Sequence, residues 1–257
     1  MRIKDKIGIL IVSFLAIFLI GCAENSALIR KKSLALENLG NSLIQQGDLR
    51  AGLVKLIEAS KLDPENANMH NELGLAYRNL RAYPKSLMHF KKALFLKPDF
   101  SEAYNNLGTL YILMREWDLA IESFQIAINN ILYKTPYFAY NNMGLVYYNK
   151  GDYQKAIENF KAAIQLFPEY SLCYENLARA YEAINNWEFA IKAYKKSIDY
   201  DAVYPVSHLY LARLYLKLNR ANDAVRELKL TIELDPKGRY GEEARRLLKQ
   251  IKVVTTQ

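Results

Sequence analysis

The sequence predicts an all-α protein: a right-handed superhelix of six helix-turn-helix repeats, closed by a C-terminal capping helix. Three observations predict it. Small residues recur at a nearly fixed period, with Gly40, Gly74 and Gly108 lying 34 residues apart, Gly144 following after 36, and Ala178 and Ala212 each after another 34. Bulky residues recur at two fixed offsets from them, Leu43, Tyr77, Tyr111, Tyr147, Tyr181 and Tyr215 in one row and Leu56, Phe90, Phe124, Phe160, Tyr194 and Leu228 in the other. Pro64, Pro98, Pro168 and Pro236 then punctuate four of the six copies at a common place. Periods of this length mark repeat architectures, in which one supersecondary unit cannot bury its apolar face alone and stacking supplies the core.

The first element precedes the repeats. "MRIKDK" supplies Arg2, Lys4 and Lys6, and an apolar run follows from Ile7 to Ile20. That run is shorter than the ~20 residues a spanning helix needs and fits the hydrophobic part of a signal peptide. Leu19-Ile20-Gly21-Cys22 resembles a bacterial lipobox, with an aliphatic residue, a small residue and then cysteine. The resemblance implies a lipoprotein: residues 1–21 are removed, and the Cys22 sulfur is the nucleophile that receives the lipid. Acyl chains of the palmitate class would hold Cys22 on a membrane, at about 0.8 kcal/mol per buried CH₂. Ala23 after the cysteine favours the outer membrane by resemblance to enterobacterial sorting. An uncleaved anchor with an incidental cysteine is the alternative. Residues 22–32 form the acylated cysteine and a tether, whose ten residues from Ala23 to Lys32 reach at most ~35 Å.

The repeats occupy residues 33–238, as 33–66, 67–100, 101–136, 137–170, 171–204 and 205–238. Numbered so that the recurring small residue is position 8, the copies also hold small residues at position 20 (Gly52, Ser86, Ala120, Ala156, Ala190, Ala224). The same holds at position 27 (Ala59, Ala93, Ala127, Ala163, Ser197, Thr231). A glycine inside a helix costs about 1 kcal/mol against alanine, so its recurrence needs a cause. Two helices crossing at close range supply one, the bulky residues at positions 11 and 24 filling the space around the contact. Proline at position 32 ends the second helix and sets the turn into the next copy. These residues resemble the tetratricopeptide repeat (TPR). The first copy departs most, with Leu36 and Leu43 where aromatics are usual, and the third is two residues longer. Residues 239–257 close the chain. Their "EEARRLLKQIK" sets Ala244, Leu247, Leu248 and Ile251 on one helical stripe with a basic back, as a capping helix needs.

In TPR folds the first helix of each repeat lines the concave face through positions 2, 5, 9 and 12. By that resemblance the partner-binding groove comprises Asn71, Leu75, Arg78, Asn105, Thr109, Ile112, Asn141, Leu145, Tyr148, Arg179 and Arg213. Phe138, Leu172, Glu175, Glu182, Leu209 and Leu216 flank them. Position-5 asparagines are expected to hold the backbone of a bound segment, apolar residues to add contact, and Arg179 and Arg213 to favour acidic groups. The asparagines at position 6 (Asn106, Asn142, Asn176) merely follow the repeat consensus. The basic pattern that clamps a C-terminal carboxylate in chaperone-binding TPRs is incomplete here.

Composition excludes much else. The formal net charge is +8, but bases and acids are interspersed, which reads as a solvated helical surface and not a nucleic-acid stripe. Of the two cysteines only Cys173 remains if Cys22 is acylated, so no internal disulfide is possible, and Cys173 reads as a small packed hydrophobe. His70, His89 and His208 are the only histidines. No phosphate loop, nucleophile elbow or metal-spaced cluster occurs, so neither an enzyme, a cofactor nor a small-molecule substrate is expected.

Lipobox, six repeats and a lengthened third repeat carrying Leu132-Tyr133 together resemble the type IV pilus biogenesis/stability lipoprotein family, the PilF/PilW-type pilotins. That resemblance implies a lipid-anchored protein on the periplasmic side of the outer membrane, whose protein partner is a secretin subunit. The alternative is a general periplasmic TPR adaptor that scaffolds peptidoglycan or other envelope enzymes.

Overall fold

The structure, a computed structural model, describes residues 27–255, and side chains as far as Ile251. The signal segment and Cys22 lie outside the described residues. Every regular element among the described residues is helical: α1 (27–45), α2 (Leu49–Leu62), α3 (Ala67–Asn79), α4 (Tyr83–Leu96), α5 (Ser101–Met114), α6 (Trp117–Asn129) and α7 (Pro136–Asn149), followed by α8 (Tyr153–Leu166), α9 (Ser171–Ala183), α10 (Trp187–Tyr200), α11 (Pro205–Lys217), α12 (Ala221–Leu234) and α13 (Arg239–Thr255). The expected all-α class holds, and none of these helices is long and apolar enough to cross a membrane. The chain divides into two compact units, one ending at Met114 and the other beginning at Arg115.

Within the first unit the α3–α4 hairpin shows why a small residue recurs. A Cβ placed on Gly74 would lie 2.5 Å from the Phe90 ring, and Ser86 Oγ donates 2.7 Å to the Gly74 carbonyl. Positions 8, 20 and 24 therefore meet at one point. The α1–α2 hairpin uses two glycines there, since a Cβ on Gly52 would lie 2.6 Å from the Gly40 carbonyl, and Leu56 takes the place of the ring. In the second unit a Cβ on Gly144 would lie 2.6 Å from the Phe160 ring. Position 27 is fully or almost fully buried in every copy: Ala59, Ala93, Ala127, Ala163, Ser197 and Thr231.

Helix ends follow the prolines, with a physical qualification. α2, α4, α8 and α12 each stop two residues before Pro64, Pro98, Pro168 and Pro236, and the residue between leaves the helical region, with φ from −132° to −142° and ψ from 64° to 89°, as a following proline demands. Asp201 takes the same conformation (φ −146°, ψ 79°) with no proline after it, so the turn is a property of the packing that proline reinforces. The longer connection between α6 and α7 leaves Ile131 and Leu132 in solvent and turns Tyr133 inward, at 6% exposure.

The turn inside each repeat follows a second rule. Position 15 has positive φ in all six copies: Gly47 (92°), Arg81 (57°), Arg115 (62°), Gly151 (81°), Asn185 (58°) and Asn219 (57°). The next amide bonds back to the position-11 carbonyl, as from Asp152 to Tyr147 and from Asn186 to Tyr181 at 2.9 Å, the Schellman closure of a helix. The signal is faint in sequence because only two copies carry glycine. At the chain's end Ala244 is buried with Leu209, Ala212 and Leu228, and Leu247, Leu248 and Ile251 pack on that cluster, so α13 covers the last hairpin.

His70 and His89 join α3 to α4. Their Nδ1 atoms lie 3.0 Å apart, and His70 Nε2 is 3.1 Å from the Pro64 carbonyl. A carbonyl only accepts, so the Nε2 proton sits on His70, whose Nδ1 then accepts from His89. Burial, and then the charge of His70, lowers the His89 pKa from 6.5 to about 4.

Two expectations follow. Gly144→Ala should lower stability by about 1–3 kcal/mol, since the Phe160 ring must move, and Phe160→Leu in the same chain should recover part of that loss in urea unfolding. For His89, the unfolded chain binds a proton near pH 6.5 that the folded chain takes up only near 4. Stability should therefore fall as pH drops through that window, and His89→Gln should flatten the urea midpoint against pH.

Candidate functional site

The open faces of the first helices are where the sequence places a groove. The structure corrects part of that placement. Position 5 lies on the seam between successive repeats: Asn71 is 6% exposed, Asn141 2%, Glu175 4% and Leu209 1%. Asn106 Nδ2 donates to Asn71 Oδ1 and Asn176 Nδ2 to Asn141 Oδ1, both at 3.0 Å. Asn71 and Asn141 are therefore buried at the seam, where they register one first helix on the next. The position-6 asparagines, expected to be bystanders, are the donors of that register. Burial raises the Glu175 pKa, opposed by nearby Arg179 and by a 3.4 Å hydrogen bond from Ser207.

In the first unit Leu75 and Arg78 line a cavity of about 290 Å³ with Asn41, Ile44, Gln45 and Glu72. Burial lowers the pKa of Arg78, and its Nη1 donates 2.8 Å to Thr109 Oγ1, which itself donates to the Asn106 carbonyl at 2.7 Å. Burial, and then the charge of Glu37, raises the Glu72 pKa. Arg78 and Thr109 thus meet each other on neighbouring helices. Asn105 and Ile112 stand half-buried on α5.

The second unit brings three expected residues to one place. Tyr148, Arg179 and Arg213, from α7, α9 and α11, line a cavity of about 410 Å³ with Glu182, Tyr210 and Lys217. The Arg179 guanidinium carbon lies 5.1 Å from the Tyr148 ring centre and 6.0 Å from that of Tyr210, and that of Arg213 lies 5.4 Å from Tyr210. Cation and ring alternate along the wall. Lys217 sits 4.2 Å over Trp187, Arg213 is ion-paired to Glu243 of α13, and Glu182 accepts from the Tyr194 hydroxyl. Leu145 does not line this cavity; it packs half-buried on the core. Tyr210 was not expected in the groove, because position 6 is asparagine in four of the other five copies.

Among the described residues, Cys173 and His208 are each buried and hydrogen-bonded. Cys173 is fully buried, its Sγ donates 3.3 Å to the Phe160 carbonyl, and burial pushes its thiol pKa up, the opposite of a nucleophile. Both ring nitrogens of His208 face acceptors, Glu227 Oε2 at 2.8 Å and the Ala202 carbonyl at 3.3 Å. Among the described residues no cluster could hold a metal ion.

Paired antiparallel helices with a charged, aromatic groove on their first members define a helical-repeat scaffold of the protein-binding class. The repeat itself is identified by comparison: tetratricopeptide-repeat families match residues 137–202 and 103–133, and a TPR-repeat family matches residues 40–80. The chain carries TPR repeats over these residues and has the all-α TPR fold. In sequence it resembles the Hsp70-Hsp90 organizing protein of Triticum aestivum, 26% identical over 89 residues, and Hsp70-Hsp90 organizing protein 3 of Arabidopsis thaliana, 31% identical over 86. These matches span 35% and 34% of this chain but only 15% of either relative. Among solved structures, PilW, a widely conserved type IV pilus biogenesis factor, matches with a TM-score of 0.76 at 22% identity, over 84% of this chain and 98% of its own. PilF of Pseudomonas aeruginosa matches with a TM-score of 0.71 at 19% identity, over 86% and 99%. At such identities the likeness is one of fold.

Asn141→Ala should cost about 1–3 kcal/mol in chemical denaturation, because it leaves the buried Asn176 amide without its acceptor. The double change Asn141→Ala/Asn176→Ala should cost less than the sum of the two single changes.

Proposed function

We propose that this chain is a membrane-anchored TPR lipoprotein that promotes assembly and outer-membrane targeting of the type IV pilus secretin. The observation that carries the reading is the joint occurrence of a lipobox ending at Cys22 and a helical-repeat chain that PilW and PilF match in fold over 84% and 86% of its length. Either alone is common to many proteins; together they describe a repeat scaffold fixed to an envelope membrane.

The mechanism is tethering and templating. Acyl chains on Cys22 confine the protein to the membrane and raise the local concentration of whatever it holds, by the arithmetic of effective concentration. The repeats bind a segment of a secretin subunit and present it where rings close. Neither catalysis, cofactor nor nucleic acid enters this scheme. A general periplasmic adaptor would use the same anchor and repeats on a different partner.

Fractionation of envelopes carrying wild-type or Cys22→Ala chain tests both halves. The wild type should sit in the outer membrane, and the variant should mislocate and leave few heat-resistant secretin multimers. If the variant mislocates while multimers form normally, the pilotin reading fails and the adaptor takes its place.

A further inference from the structure

We infer that the second-unit groove seats an acidic peptide segment, with one of its Asp or Glu carboxylates held edge-on by Arg179 between Tyr148 and Tyr210. This deepens the reading of the chain as a protein-binding scaffold and rests on it. The geometry starts from Arg179, a cation that shares its helix with the buried Glu175, whose ionised form it favours. Among the described residues Arg179 makes no ion pair, and the contacts recorded for its guanidinium are two ring faces at 5.1 and 6.0 Å. Two aromatic rings therefore flank the Arg179 cation. The guanidinium also carries a fork of N–H donors whose spacing matches a carboxylate and pairs with it through two parallel hydrogen bonds. Lysine offers no such fork.

The two flanking rings also restrict the side chain in advance. A guanidinium already packed between rings loses less rotamer freedom on binding, so more of the pairing energy appears as affinity. Positive charge prevails around it: Lys217 stands on the same wall, and Arg213 is balanced by Glu243. Glu182 is the one acid lining the cavity and already accepts from the Tyr194 hydroxyl. With Glu175 buried beneath Arg179, it would repel a dense polyphosphate, whereas a single carboxylate flanked by neutral backbone fits. The volume, about 410 Å³, lies within the range of about 300–1,000 Å³ usual for ligand clefts.

The Arg213–Glu243 pair makes a second lever. Glu243 belongs to α13, and removing its charge frees Arg213 to face the groove.

The test uses the full chain in mild detergent and fluorescein-labelled amidated peptides with the core Asp-Glu-Tyr-Glu or its neutral counterpart Asn-Gln-Tyr-Gln. Anisotropy should show binding of the acidic peptide, weakened by salt between about 50 and 300 mM. Arg179→Ala should weaken it about tenfold or more, Arg179→Lys should restore only part, and Glu243→Gln should tighten it. That last gain is one a misfolded variant cannot give. Equal binding of the two peptides, or an acidic peptide indifferent to both Arg179→Ala and Glu243→Gln, overturns the inference. So does binding of phosphatidylglycerol vesicles that depends on Arg179 in place of the peptide. The two readings fail separately. If acidic peptides do not bind while secretin multimers still require the chain, the inference falls and the pilotin reading stands. If they bind through Arg179 while multimers form without the chain, the reverse holds.

Discussion

Each hairpin depends on one contact, the close approach of a small residue at position 8 to the bulky residue at position 24. Gly74 against Phe90 and Gly144 against Phe160 leave no room for a methyl group. Everything larger is built outward from that contact. The buried small residues at positions 20 and 27 let backbones near it draw together, and the left-handed residue at position 15 closes the turn that brings the helices face to face. A helix of 13 or 14 residues is marginal in water by itself, so this packing, and not intrinsic propensity, keeps the hairpins folded.

The contact is a constraint on volume and not on identity. Glycine pairs with phenylalanine in the second and fourth copies, Gly40 and Gly52 come together around Leu56 in the first, and Ala212 goes with Leu228 in the last. Cores tolerate such exchanges when the total volume and the pattern are kept. The variation frees the outer face of each first helix to differ between copies while the scaffold stays the same. In the second unit that freedom produces a row of alternating rings and cations; in the first, an arginine bonded to a threonine on the neighbouring helix.

The seam between repeats has its own chemistry. Paired asparagines, Asn106 with Asn71 and Asn176 with Asn141, are buried or half-buried amides that bond only at one register. A slip of one residue would break both, leaving buried amides unpaired. Apolar packing alone would tolerate the slip more easily, which gives these polar groups a specifying role beyond their modest net stabilisation.

Residue spacing alone determined the helical class, the period, the small and bulky rows and the stripe on α13, because each rests on residues related along one helix or by a fixed repeat. Arg179 and Arg213 could be placed at equivalent positions of their helices for the same reason, and they line one cavity. The tertiary structure decided the rest. Position 5 could not be assigned from spacing, since whether Asn141 meets a ligand or Asn176 depends on the tilt between consecutive helices. Tyr210 and Lys217 entered the groove the same way, through the distance between α9 and α11. Sequence periodicity reports which way a side chain points from its own helix; only the packing of helices against one another reports what it then meets.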